Sequence, residues 1–450
     1  MINNIINIFT KGPQRSILAK KHILYSFFLN GISVLIGLLF VPLLLNYLDA
    51  ERYGIWLTLT SIVGWFTFFD AGLGNGLRNK LTEAFAKGNT NLAKEYVSTT
   101  YAIIGIIFLT VLALFYCVNP FLHWNEILNT TLVPEKELSL LALVVFTFFF
   151  LRFILNLIGI ILMADQRPAW NTALSPIINL ISLAIIFVLS ITTKGALVTM
   201  GFVMSVVPVI VLFIASVLLF RKRYKSLKPD FKHIKWAHSH SLLGLGIKFF
   251  IIQIAALVMF ATSNIIISQI LGPDQVAVYN IAFKYFQIPI MLYGTIMTPI
   301  WSAVTDAYVK EDFAWLKSTL NKLNKMSLIF SFGIILMLIA SPYVYNIWVG
   351  NKIHIPFLVS AVIALYSLIN VVLTPYSHFV NGMGKIYLGS RLVWFSIIFY
   401  IPLAVILAKS PLQLAGVMLA TCIINGIGIP IQIYQTNKLI SQKANGIWNK

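Results

Sequence analysis

Four charged side chains stand inside long apolar stretches of this sequence: Asp70, Arg152, Lys248 and Lys284. A charge within a bilayer is costly and is kept where it faces water, a partner or a ligand. Lys248 lies about 9 Å from the end of its stretch at a helical rise of 1.5 Å per residue, so its stem can carry the ammonium to the interface. Arg152 is expected in mid-helix, where that escape is closed, and Lys284 is about 12 Å in. Around Lys284 the polar residues keep a helical rhythm. Asn280, Lys284, Gln287, Met291, Thr295, Thr298 and Ser302 follow in steps of three and four, which places them on one helix face. Asn370, Thr374 and His378 make a second such stripe. Ser26, Asn30, Ser33 and Gly37 make a third, and Arg152 shares a face with Asn156. Isolated Ser and Thr act as glue between membrane helices. A lysine within a continuous polar stripe fits a water-filled cavity better. A cavity holding Arg152 and Lys284 suits an anion such as a diphosphate, through charge-assisted hydrogen bonds. Asp70 is read as a partner for a base or for a coupling proton.

A second candidate is "FFDAGLGNGLRNKLTEAFAKGN", residues 68–89, in which Gly72, Gly74 and Gly76 precede Arg78. Glycine-rich loops hold phosphates when a strand leads into them and a helix opens after them. Here an apolar helical stretch leads in and no Walker lysine follows. The glycines are expected to allow close helix packing at the cytoplasmic end of a membrane helix, where the motif stands as a gate. No cluster of His, Cys and Asp suggests a metal, and no cofactor is expected. Cys117 and Cys422 both fall in apolar stretches and read as small core residues.

The elements that must position these residues follow from composition. Of the 450 residues 59% are hydrophobic and only 10% charged, against roughly 25% charged in a soluble domain. The mean hydropathy is +0.87. Twelve apolar blocks are each long enough to span a bilayer, which takes about 20 residues. They lie at 23–48, 54–77, 97–118, 138–164, 171–191, 195–220, 242–271, 276–304, 326–349, 355–381, 386–408 and 412–436. The fold class expected is an all-α integral membrane protein. Twelve spans put both termini on one side. That side collects 25 of the 33 lysines and arginines; the other has five, and three are embedded. This is the positive-inside signature and makes that side cytoplasmic. It accounts for the net charge of +19 through contact with anionic membrane lipid, without nucleic acid. At the N-terminus Ile2, Ile5, Ile6 and Phe9 form an amphipathic pattern beside Lys11 and Arg15, suited to the inner membrane surface.

Residues 66–89 align without a gap on residues 289–312 at an offset of 223, with "TEAFAKGN" over "TDAYVKED". The second copy has no glycines where the first has three, so a repeated nucleotide site is excluded. The chain is therefore expected as two six-helix bundles, residues 23–220 and 242–436. A basic arm (1–22), a basic linker (221–241) and a tail (437–450) complete it, all cytoplasmic.

The motif at 68–89, "FVNGMGK" at 379–385 and the twelve-helix, two-half layout resemble the polysaccharide-exporter branch of the MOP superfamily. Within it the sequence is most similar to Wzx-type O-antigen flippases. The resemblance implies two six-helix bundles in a V around a central cavity, in the bacterial inner membrane. It implies an undecaprenyl-diphosphate-linked oligosaccharide as substrate, with a polysaccharide polymerase and chain-length proteins as possible partners. Arg152 and Lys284 would then meet the diphosphate, and Asn30, Asn156, Asn280, Gln287 and His378 the sugar. Alternatives remain: an exporter of the same superfamily for lipid II, a teichuronic-type precursor or a drug, or a membrane glycosyltransferase or polymerase. The short outer loops, without paired catalytic groups, favour a transporter over an enzyme.

Overall fold

The structure, a computed structural model, describes residues 14–66, 73–165, 167–239, 262–385 and 387–449. Among them the regular structure is helical, as expected. Asp70, Gly72, Lys248 and the 2–9 pattern lie outside the described residues. The principal helices are α1 (Gln14–Tyr47), α2 (Ala50–Gly64), α3 (Leu73–Ala86), α4 (Thr90–Val118), α5 (Glu135–Leu155), α6 (Leu157–Ala164), α7 (Pro168–Thr192) and α8 (Leu197–Arg221). After them come α9 (Thr262–Leu271), α10 (Pro273–Val309), α11 (Phe313–Val349), α12 (Phe357–Gly382), α13 (Tyr387–Ala408) and α14 (Gln413–Ile440). Among the described residues nine helical segments are long and apolar enough to cross a membrane. The 37-residue α10 is not one of them; Asn280, Lys284 and Gln287 interrupt its apolar run.

One expected span is present and one needs correction. The span expected over 138–164 is the apolar segment Glu135–Ala164, in which α5 and α6 meet at the single turn residue Asn156. Arg152 stands on the last turn of α5 and, as expected, well inside this span. The span expected at 326–349 starts earlier, at Phe313, so that Lys317, Lys322 and Lys325 ride on α11 instead of lying in a loop.

The repeat reappears in local geometry. Adding 223 to the limits of Ala50–Ala86, which hold α2 and α3, gives the limits of α10. The turn that follows is built twice. Gly88 and Glu311 both take positive φ, 65° and 56°. Asn89 and Asp312 are the next N-caps, their side chains accepting from the backbone N–H of Leu92 (3.0 Å) and Trp315 (2.9 Å). The threonines of the two motifs stand at matching positions but bond differently. Thr305 Oγ1 donates to the Gly382 carbonyl at the end of α12 (2.8 Å), whereas Thr82 Oγ1 donates to the Arg78 carbonyl of its own helix (2.8 Å) and comes within 3.4 Å of the Ala164 carbonyl at the end of α6. Carbonyls at helix ends lack intrahelical partners, so the hydroxyl meets a standing need.

The chain forms two compact units. The first comprises Met1–Asp49, Val63–Ile127 and Thr131–Gln253; the second comprises Ala50–Ile62, Leu128–Thr130 and Ile254–Lys450. In the first, α1 packs on α7 and α5 on α8. Its core is aromatic: Phe115 stacks on Phe146 at 3.9 Å, and Phe66 and Phe108 meet the edge or tilted face of Phe150. The basic linker belongs here and is ordered as three short 3-10 turns. Its Tyr224 hydroxyl and Arg223 both donate to Asp165, at 2.8 Å and 2.9 Å. In the second unit, α12 packs on α10 and α14, and α13 on α14. Gln435 of α14 donates to the Lys385 carbonyl (3.0 Å), so the segment after "FVNGMG" is clasped by α14.

Candidate functional site

The second unit carries the densest polar group among the candidates. The rhythm that puts Asn280 and Lys284 one turn apart on α10 aims both at neighbouring helices. Asn280 donates to Asn264 Oδ1 of α9 (2.9 Å), and Asn264 donates to Ser61 Oγ of α2 (2.8 Å). One turn on, Lys284 Nζ donates to the Tyr53 hydroxyl (3.3 Å), and Tyr53 is only 1% exposed. Lys284 is half-buried, and no carboxylate pairs with it among the described residues. A tyrosine hydroxyl orients an ammonium but leaves its charge uncompensated. Gln287, one further step along, is exposed.

The frame behind this group is tight. A Cβ at Gly54 would fall 1.6 Å from the Pro273 carbonyl oxygen, so α2 meets the start of α10 at a place where no side chain fits. Glu51 accepts from the Thr130 hydroxyl, and Asn129 donates to the Ser268 carbonyl (2.8 Å), tying the 128–130 segment to α2 and α9. Tyr53 and Asn264 were not singled out from sequence. Asn264 carries a faint signal, a lone amide in an apolar block, whereas Tyr53 carries none, because tyrosines are ordinary near membrane helix ends.

The other stripes behave differently. On α12, Asn370 donates to the Tyr366 carbonyl (2.8 Å), Thr374 to that of Asn370 (2.6 Å) and His378 Nδ1 to that of Thr374 (2.9 Å). Each polar group thus returns to its own helix four residues back. Thr295 does the same to Met291. Asn30 of α1 is exposed. Gly74 and Gly76 are buried in α3, while Arg78 is exposed. Asn30, Arg152, Asn156 and the glycine motif belong to the first unit; Asn280, Lys284, Gln287 and His378 belong to the second. Arg152 and Asn156 are both exposed, at the break between α5 and α6.

A family model described as "Polysaccharide biosynthesis protein" matches residues 19–304. A putative O-antigen export protein of Yersinia pseudotuberculosis is 21% identical over 378 residues, which are 82% of this chain and 83% of that one. Among solved structures, an inward-facing multidrug resistance MATE family transporter of the MOP superfamily superposes with a TM-score of 0.75 at 14% identity, over 91% of this chain and 95% of the other. The lipid II flippase MurJ, in an inward closed conformation, gives 0.69 at 16% identity, over 94% and 90%. At these identities the two structures speak for a shared fold. The all-α membrane architecture of the described residues is the fold shared with these transporters.

Proposed function

The chain belongs to the polysaccharide biosynthesis protein family, and from that premise we propose that it is a flippase for an undecaprenyl-diphosphate-linked oligosaccharide, working by alternating access in the bacterial inner membrane. The observation that carries the reading is Lys284: a half-buried cation on the long helix α10 whose hydrogen bond goes to a tyrosine hydroxyl. Removing a countercharge from a buried cation is costly, so an anionic headgroup is the economical partner. Arg152 supplies the second cation and adds a planar fork that matches phosphate oxygens. Asn30, Asn156, Asn280, Gln287 and His378 offer the amide and imidazole groups that sugar hydroxyls bind. Asp70 and the Gly72–Arg78 motif serve ion coupling and the cytoplasmic gate. The chain moves its substrate and makes or breaks no bond, in keeping with relatives that are transporters. Anionic lipid surrounds it, and a polymerase would take its product on the far side.

The test is complementation of a strain lacking the protein. Lys284→Ala and Arg152→Ala should abolish surface polysaccharide while the protein still reaches the membrane. Lys284→Arg should keep part of the activity, since charge survives. Full complementation by both alanine variants would sink the cationic reading. Cleavage of labelled substrate by the protein in proteoliposomes would instead favour an enzyme.

A further inference from the structure

The linker between the two halves has an exposed side that the transport reading does not use. Its buried side is held fast. Tyr224 and Leu227 are buried, and Asp230, Lys235 and His238 fasten it to the first turns of α4. The Asp230 N–H donates to Ser98 Oγ (3.1 Å), the Lys235 N–H to Thr99 Oγ1 (2.9 Å), and His238 lies 2.9 Å from Glu95. The Asp230 carboxyl is held below the usual carboxylate range by the Lys232 N–H first, and also by His233 and by Lys94 of α4. The linker begins where the membrane-spanning α8 ends and is bonded to the end of the membrane-spanning α4. It therefore lies at the level of the membrane surface. On its open side Phe231 is 92% exposed and Trp236 55% exposed. Lys225, Lys228, Lys232 and Lys235 are exposed around them.

A fixed turn of chain that leaves a phenylalanine wholly uncovered needs something to cover it. Tryptophan and phenylalanine among lysines, at the height of the headgroups, match the composition of interfacial anchors. Each lysine near an anionic surface adds attraction that extends over one Debye length. We propose that residues 224–238 form an aromatic-tipped basic strap that seats on the anionic headgroup layer of the same membrane the protein spans. Phe231 and Trp236 enter the interface, and the four lysines meet lipid phosphates. The strap holds the end of the first unit at a set depth, whatever substrate the protein carries.

The test uses the full chain, with Cys117→Ser and Cys422→Ala, in nanodiscs with and without phosphatidylglycerol. A nitroxide is placed at Phe231→Cys or, as control, at Ser226→Cys; both positions are exposed, so neither change disturbs packing. With phosphatidylglycerol, the label at 231 should be severalfold more accessible to oxygen than to a water-soluble nickel complex, relative to the label at 226. In phosphatidylcholine alone, or with the four lysines changed to glutamine, that ratio should fall. A label at 231 as aqueous as that at 226 in the anionic discs would overturn the proposal and point to a soluble partner. An identical depth in both lipids would overturn it too. The measurement needs no substrate and no sidedness, so it stands apart from the fate of the flippase reading.

Discussion

Lys284 was singled out because helical periodicity put it among polar neighbours, but its hydrogen-bond partner comes from 231 residues away. Tyr53 is where the two readings of this lysine part. If Lys284 only ties α10 to α2, then Tyr53→Phe and Lys284→Met should lower the melting temperature alike and leave transport in proportion to folded protein. If Lys284 meets substrate, Lys284→Met should abolish transport, whereas Tyr53→Phe should reduce it only in part. Thermal unfolding in detergent beside surface-polysaccharide assays separates these outcomes. Asn264 is the structural counterpart. It sits between Ser61 and Asn280, and Asn264→Leu should cost about 0.6–1.7 kcal/mol, the range for hydrogen bonds between membrane helices, with transport falling only as far as stability does.

At the scale of elements, the duplicated turn makes opposite predictions for its two copies. Glu311 takes a left-handed conformation that its Cβ disfavours by about 1–2 kcal/mol, while Gly88 does the same work freely. Glu311→Gly should therefore raise the melting temperature slightly, because glycine's own flexibility takes back about 0.5–1 kcal/mol. Gly88→Ala should lower it. A fall for Glu311→Gly would mean that the glutamate side chain contributes more than its backbone costs. The matched threonines make a second pair. Thr305→Val removes the donor to the Gly382 carbonyl and should cost about 1 kcal/mol, with Thr305→Ser largely neutral. Thr82→Val should cost less, since its hydroxyl bonds first to the Arg78 carbonyl of its own helix, at 2.8 Å, and reaches Ala164 only at 3.4 Å.

For the whole molecule, the distribution of lysine and arginine predicts that the linker and both termini face the cytoplasm. A thiol-reactive, membrane-impermeant label should fail to reach Ser226→Cys from outside intact spheroplasts and should reach it after lysis. Labelling from outside would reverse the orientation and with it the direction assigned to the glycine motif.

Some of this protein could be read without coordinates, because the bilayer imposes simple rules. Backbone groups in hydrocarbon must be satisfied within the segment, so long apolar blocks have to be helices. The repeat was visible because "TEAFAKGN" and "TDAYVKED" meet the same needs: a threonine for a helix end, a residue for the turn and a cap for the next helix. The polar face of α10 was visible because 3.6-residue spacing is a property of one helix. What periodicity cannot supply is which atom of another helix stands opposite. Only the tertiary structure decided that Asn264 joins Asn280 to Ser61, that the polar groups of the α12 stripe each bond a carbonyl four residues back, and that α5 stops at Asn156 one residue past the turn bearing Arg152. It also decided that the linker turns two aromatic side chains outward. Each of these depends on packing between segments far apart in the chain, where many pairings satisfy the same local pattern and shape and hydrogen-bond geometry select among them.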